Sequence, residues 1–177
     1  MDYKEKTINS EYIYKGKIIK LRKDCISLPN GKEAFREVVE HPGGACCLVK
    51  CPDGKILFVR QYRKPYEKML YELPAGKLEP DESPDTTIVR ELSEEAGIIP
   101  NALEKIGIML PSPGYSNEVI HLYYTDDYRA GQNDLDEDEF LDLVAIPVEQ
   151  VLAMIENGEI VDAKSVILIL RCKERIM

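Results

Sequence analysis

At 177 residues the chain is long enough for one large domain, or a domain plus a small appendage, around a proper hydrophobic core. Its 44% apolar and 31% charged content reads as soluble and globular, and a net charge of −9 argues against nucleic acid or an anionic membrane as partner, since both demand basic surface. No apolar run approaches the ~20 residues that cross a bilayer, and MDYKEKTINS has no signal-peptide pattern, so a cytoplasmic location is expected.

Residues 11 to 41 read as three strands. EYIYKGKIIKLRKDCISL is rich in Ile, Tyr and Leu with Gly16 as a bend, LPNGK is a hairpin turn, and AFREVVEH alternates into a third strand. Pro42-Gly43-Gly44 marks a boundary, which predicts an N-terminal β subdomain over 1–42 and a main domain over 43–177. ACCLVKC and KILFVRQYR are then expected to form a hairpin around Pro52-Asp53-Gly54.

The five cysteines form no framework. Cys46 and Cys47 are neighbours on a strand and point to opposite faces, Cys51 follows, and Cys25 and Cys172 stand apart. A metal site would want CxxC pairs or nearby histidines; with only His41 close by, they read as core filler. Arg60-Gln61-Tyr62-Arg63-Lys64-Pro65 ends a strand with cations suited to phosphates or a ribose, although a solvated strand end has the same look.

The stretch GKLEPDESPDTTIVRELSEEAGI, from Gly76 to Ile98, follows the strand-like LYELPA. Ser83 is an N-cap, Pro84 suits the first helical position, and Gly97 stops the helix. Spacing places Glu91, Glu94 and Glu95 on one face and Ile88, Val89, Leu92 and Ala96 on the core face. Like charges so spaced repel by about 0.2–0.5 kcal/mol per pair, and a divalent cation among them relieves that cost. A solvated acidic helix face is the plainer reading of three glutamates.

The full pattern resembles the Nudix box, G-x5-E-x7-R-E-U-x-E-E-x-G-U with U aliphatic. Gly76, Glu82, Arg90, Glu91, Leu92, Glu94, Glu95, Gly97 and Ile98 match it at every position. The resemblance implies an α/β/α sandwich with a mixed sheet, and metal-dependent hydrolysis of a nucleoside diphosphate linked to another group. It makes Glu91, Glu94 and Glu95, with the Ala75 carbonyl, the metal ligands. Arg90 and Glu82 would orient that set. Mg²⁺ is the expected metal, with Mn²⁺ as the alternative.

Beyond the box, LEKIGIMLPSPGYSNEVIHLYYTDD looks like two strands joined by Pro111-Ser112-Pro113-Gly114. DDYRAGQNDLDEDEF is an acidic loop. Pro147 opens the helix VEQVLAMIENG, and Asp162 caps a second one, AKSVILILRCKERIM, whose apolar positions read as core. Together the N-terminal sheet, FREVVEHPG, RQYRKP, ELPAGK and SPGYSNE resemble the ADP-ribose pyrophosphatase branch of the Nudix family over most of the chain.

That branch implies cleavage of ADP-ribose to AMP and ribose 5-phosphate, and an N-terminal antiparallel sheet exchanged across a homodimer to build the partner's adenine pocket. Arg36, Glu37, Arg63, Pro113 and Glu118 are then the expected substrate contacts. Tyr12, Tyr14 and Phe35 are all open as the aromatic that stacks on the base. The acidic loop would supply the general base, Glu139 or Glu137, a choice that sequence leaves open. Another nucleoside diphosphate sugar or dinucleotide (GDP-mannose, NADH) is the alternative substrate, and a non-catalytic nucleotide-sensing module the alternative class.

Overall fold

The computed structural model of the chain describes residues 2–132 and 140–177. It divides into two compact units, Met1–Gly43 with Leu110–Val119, and Gly44–Met109 with Ile120–Met177.

The first unit is an antiparallel sheet of β1 (Lys6–Lys15), β2 (Lys20–Ser27) and β3 (Glu33–Glu40) in the order β1-β2-β3. The three expected strands are present, with the first beginning earlier than residue 11. The LPNGK turn closes through Gly31 N–H donating to the Leu28 carbonyl at 2.9 Å. Segment 110–119 belongs here because it pairs with β3: Val39 N–H donates to the Tyr115 carbonyl (2.7 Å) and Asn117 N–H to the Val39 carbonyl (3.1 Å). Arg22, at the sheet centre, forks onto Asp24 and also reaches Glu40, so the buried Asp24 is paired rather than stranded.

The second unit holds a mixed sheet, β7-β4-β10-β9, made of β4 (Gly44–Val49), β7 (Ala75–Lys77), β9 (Glu104–Met109) and β10 (Ile120–Thr125). Strand β4 runs parallel to β10 and is buried along its whole length. A central strand covered on both faces must be apolar at every position, which is why GACCLV does not alternate. A second sheet, β12-β5-β6, joins β5 (Lys55–Arg63), β6 (Lys68–Glu72) and β12 (Leu141–Pro147). The short β8 (Ile98–Pro100) and β11 (Tyr128–Ala130) pair with each other.

Helix α1 (Pro84–Ala96) covers one face of β4, and α3 (Ala163–Arg171) packs against the same strand from the α3-side core. Helix α2 (Val148–Glu156) lies on β12, and the short α4 (Lys173–Ile176) ends the chain. This is the expected sheet between helices. Cys47, Ile88, Leu92 and Tyr123 form the α1-side core; Cys46, Leu48, Phe58, Leu122 and Leu168 belong to the other. Each large side chain so buried contributes about 1.5–3 kcal/mol of transfer free energy.

Three local expectations change. Strands β4 and β5 do share a tight turn, with Cys51 N–H on the Lys55 carbonyl at 2.7 Å and Gly54 N–H on the Cys51 carbonyl at 2.9 Å. They meet only at a single bridge, Lys50 to Ile56, and then enter different sheets instead of forming a regular hairpin. The C-terminal helix breaks at Cys172, giving α3 and α4. Val89 is 36% exposed and lies outside the core; Thr87 is buried on α1 in addition to Ile88, Leu92 and Ala96.

Candidate active site

Helix α1 begins and ends as its sequence dictates. Ser83 Oγ accepts the Thr86 N–H at 3.1 Å, Pro84 fills the first turn, and Gly97 adopts φ 61°, ψ 34° while its N–H reaches the Ser93 carbonyl at 3.0 Å. Only a residue without Cβ takes that left-handed cap cheaply.

So anchored, α1 turns Glu91 and Glu95 toward β7, where they are 8% and 5% exposed. Glu95 Oε2 accepts the Ala75 N–H at 3.1 Å. A Cβ placed on Gly76 would lie 1.8 Å from the Glu91 carboxylate, so β7 is bare of side chain where that carboxylate sits. Burying carboxylates costs several kcal/mol unless partners compensate.

For Glu91, Arg90 is such a partner. Its Nη1 is 2.9 Å from Glu91 Oε1 and 2.8 Å from Glu94 Oε2; its Nε and Nη2 donate to the two oxygens of Glu82 at 3.0 and 3.1 Å. Nη2 also reaches the Lys77 carbonyl at 3.4 Å. Arg90 is thereby held above the ordinary arginine range, first by its hydrogen bonds to Glu82. Those bonds, with help from the Thr87 hydroxyl at 2.8 Å, outweigh burial and draw the Glu82 carboxyl down to about 2. The structure thus brings Ala75, Glu82, Arg90, Glu91, Glu94 and Glu95 together in one unit.

A second polar cluster lies where β5, β6 and α3 meet. Arg63 Nε and Nη2 donate to Glu72 Oε1 and Oε2 at 2.6 and 2.8 Å. Lys164 Nζ donates to Glu72 Oε2 at 2.5 Å and lies 3.0 Å from Asp162. Asp162, the N-cap of α3, accepts the Ser165 N–H (3.1 Å) and hydroxyl (2.5 Å), while Ser165 Oγ accepts the Leu73 N–H at 2.8 Å. Burial alone would raise the Glu72 carboxyl; Arg63 and Lys164 overrule it and bring it to about 2. Sequence reasoning found Arg63 but missed Glu72 and Lys164. The available signal was a lysine in the first turn of a mostly apolar helix, AKSVILIL.

The remaining expected contacts belong to the other unit. Arg36 and Glu37, adjacent on β3, point to opposite faces of its sheet: Arg36 pairs across to Asp24 and bonds Glu5 at 3.0 and 2.5 Å, and Glu37 pairs across to Lys23. Tyr12 bonds Glu40 at 3.1 Å, while Phe35 is 61% exposed with Lys23 Nζ 4.5 Å above its ring. A bulge between Tyr12 and Tyr14 sets Tyr12 opposite Arg22 and Tyr14 opposite Leu21, neighbours that face opposite ways. Pro113 lies in a turn closed by Tyr115 N–H on the Ser112 carbonyl (3.1 Å). Glu118 Oε1 is 3.3 Å from His41 Nδ1, which also accepts the Gly43 N–H at 3.1 Å. Glu137 and Glu139 lie outside the described residues.

Known families meet the chain in two adjoining blocks. The NUDIX domain model matches residues 40–167, and the nucleoside diphosphate sugar hydrolase N-terminal domain matches residues 5–39. The chain belongs to the Nudix family.

Among relatives of this Nudix hydrolase, an ADP-ribose pyrophosphatase of Bacillus subtilis is 42% identical over 163 residues, 91% of this chain and 88% of the relative. A methanol dehydrogenase activator of Bacillus methanolicus is 42% identical over 93% of this chain and 90% of the relative. A GDP-mannose pyrophosphatase of Yersinia enterocolitica is 34% identical over 96% and 95%. A crystal structure of an ADP compounds hydrolase shares the fold, with TM-score 0.85 at 20% identity over 98% of this chain and 94% of that one.

Nudix hydrolases generally depend on a divalent metal. Among the described residues no group of three Asp, Glu, His or Cys side chains is assembled to hold an ion, and Arg90 bridges Glu91 and Glu94 of the box. The donor chemistry nonetheless fits a hard cation: two buried carboxylates beside a strand whose Gly76 leaves the backbone bare. Mg²⁺ takes few protein oxygens and keeps water for the rest. The cysteines offer no rival site, since Cys46 and Cys47 are buried in different cores and, among the described residues, all five are free thiols.

Proposed function

We propose that this Nudix hydrolase splits the pyrophosphate of ADP-ribose into AMP and ribose 5-phosphate. The observation that carries the reading is a complete Nudix box in a chain 42% identical, over 91% of its length, to an ADP-ribose pyrophosphatase. Glu91, Glu94 and Glu95, with the Ala75 carbonyl, would hold Mg²⁺, or Mn²⁺ in its place. A bound divalent ion would neutralise charge building on the pyrophosphate oxygens and acidify the attacking water.

Glu82 and Arg90 orient that carboxylate set. The hydrogen bonds from Arg90 to Glu82 and its ion pairs to Glu91 and Glu94 support this role. Arg63, Arg36, Glu37, Pro113 and Glu118 contact substrate, and a carboxylate of the acidic segment, Glu139 or Glu137, takes the proton of the water. Residues 1–42 serve as a dimerisation and pocket subdomain and 43–177 as the hydrolase domain. The exposed Ile8, Ile13, Tyr14 and Phe35 of the first unit support a homodimer, and five free thiols support the reducing cytoplasm.

A second reading, cleavage of GDP-mannose, is favoured by the 34% identical relative that spans 96% of the chain. A single panel separates the two. Purified protein, its mass taken by sedimentation, is assayed with Mg²⁺ against ADP-ribose, GDP-mannose, NADH and nucleoside triphosphates. Glu95→Gln serves as the blank. Preference for ADP-ribose by a dimer, lost at least about 100-fold in the variant, is expected. Preference for GDP-mannose overturns the substrate, and nucleotide binding without hydrolysis overturns the enzyme.

A further inference from the structure

Arg63 ends β5 just before a 3-10 turn at Lys64–Tyr66, a place where a long side chain would ordinarily sweep through many rotamers. It does not stand alone there. Glu72, 2% exposed, takes Arg63 with both oxygens, and the planar fork of a bidentate pair fixes direction as well as distance. Glu72 in turn is held from behind by Lys164, and the next residue along, Leu73, is tied by its N–H to Ser165. Asp162 closes the set on Lys164 and Ser165.

The two cations Arg63 and Lys164 are matched by the carboxylates of Glu72 and Asp162, and Glu95 also acts on Arg63. Arg63 spends Nε and Nη2 on Glu72, and its side chain remains 40% exposed. Among the described residues nothing takes a hydrogen bond from its Nη1, whose donors are kept for a ligand. A phosphate approaching this residue meets a guanidinium already oriented, and the rotamer freedom lost on binding is correspondingly small.

The geometry points to Glu72 as the positioning residue for Arg63, with Lys164 of α3 holding Glu72 in place, so that the N-terminal turn of α3 sets how the site receives the substrate's phosphates. The inference rests on the Nudix pyrophosphatase reading for the ligand, but the orientation of Arg63 is measurable without any substrate. A plain structural staple between β6 and α3 would use the same bonds and predict lost stability alone.

The test is a pair of readouts on full-length Glu72→Gln and Lys164→Met, with Lys164→Arg as the conservative return. Phenylglyoxal labelling, mapped to Arg63 by mass spectrometry, is expected to speed up about fivefold or more in both variants and to return toward wild type in Lys164→Arg. With ADP-ribose, KM is expected to rise about tenfold while kcat stays within about threefold, as when ground-state binding is lost. In an Arg63→Ala background Glu72→Gln should then change KM no further.

Unaltered labelling in folded Glu72→Gln and Lys164→Met overturns the inference, and so does a kcat loss with unchanged KM. Should one variant fail to fold, the other carries the comparison. Wild-type protein that leaves ADP-ribose intact sinks the substrate reading, while the labelling rates still decide the positioning role.

Discussion

Gly76 is a glycine because Glu91 fills the space in which any other side chain would begin. The clash is with a carboxylate on a helix anchored at both ends, so relief comes by swinging Glu91 out of the site. Gly76→Ala is therefore expected to lose about 100-fold or more in activity but only about 1–3 kcal/mol in stability, read by turnover assay and urea unfolding. Activity within a few-fold of wild type would show that Glu91 has no fixed place beside β7. At this scale spacing alone found Glu91, Glu94 and Glu95, because i, i+3, i+4 on a helix is geometry. It could not find Glu72 and Lys164, which lie 92 positions apart and meet only after β6 and α3 have packed.

Capping residues at both ends made α1 the easiest element to read, and the Ser83 and Gly97 caps formed as their chemistry requires. Ser83→Ala removes one accepted backbone N–H and is expected to cost about 1 kcal/mol, which calorimetry would register as a fall in Tm of a few degrees with little change in KM. An unchanged Tm would mean that another group takes over the Thr86 N–H. Elements whose ends depend on tertiary choice were harder. Pro52-Asp53-Gly54 forms the expected turn, but which sheet each flanking strand enters is decided by partners far along the chain, β10 for β4 and β12 for β5. Cys46 and Cys47 show the opposite case: strand alternation alone assigns them to different cores.

At the scale of the molecule's stability, the carboxylates of Glu72 and Glu82 are both held at about 2, Glu72 by Arg63 and Lys164 against its burial and Glu82 chiefly by Arg90. Both stand below the ordinary 4.5 of an unfolded glutamate, so their contribution is complete above that pH and is lost as pH falls toward 2. For the buried Glu72 the displacement corresponds to about 3 kcal/mol. Chemical denaturation at pH 6 and at pH 3 should show wild type losing much of its stability, and Glu72→Gln losing less over the same interval because its share is already gone. Equal losses in the two proteins would remove Glu72 from the acid transition. The general class of the molecule, helices on a mixed sheet with a separate antiparallel sheet ahead, was legible throughout. The attachment of 110–119 to β3 was not, since it depends on backbone bonds of Val39 that no side-chain pattern announces.

Alternation along β3 sends Arg36 and Glu37 to opposite faces, and the count of residues since the turn at 28–32 decides which face each takes. Insert or delete one residue in that turn and, if β2 and β3 keep pairing, every side chain of β3 changes sides. The guanidinium would then appear where the carboxylate had been. Loop length in a surface hairpin thus acts as a polarity selector: related chains could exchange the charge they offer a ligand or a neighbouring subunit without replacing either residue.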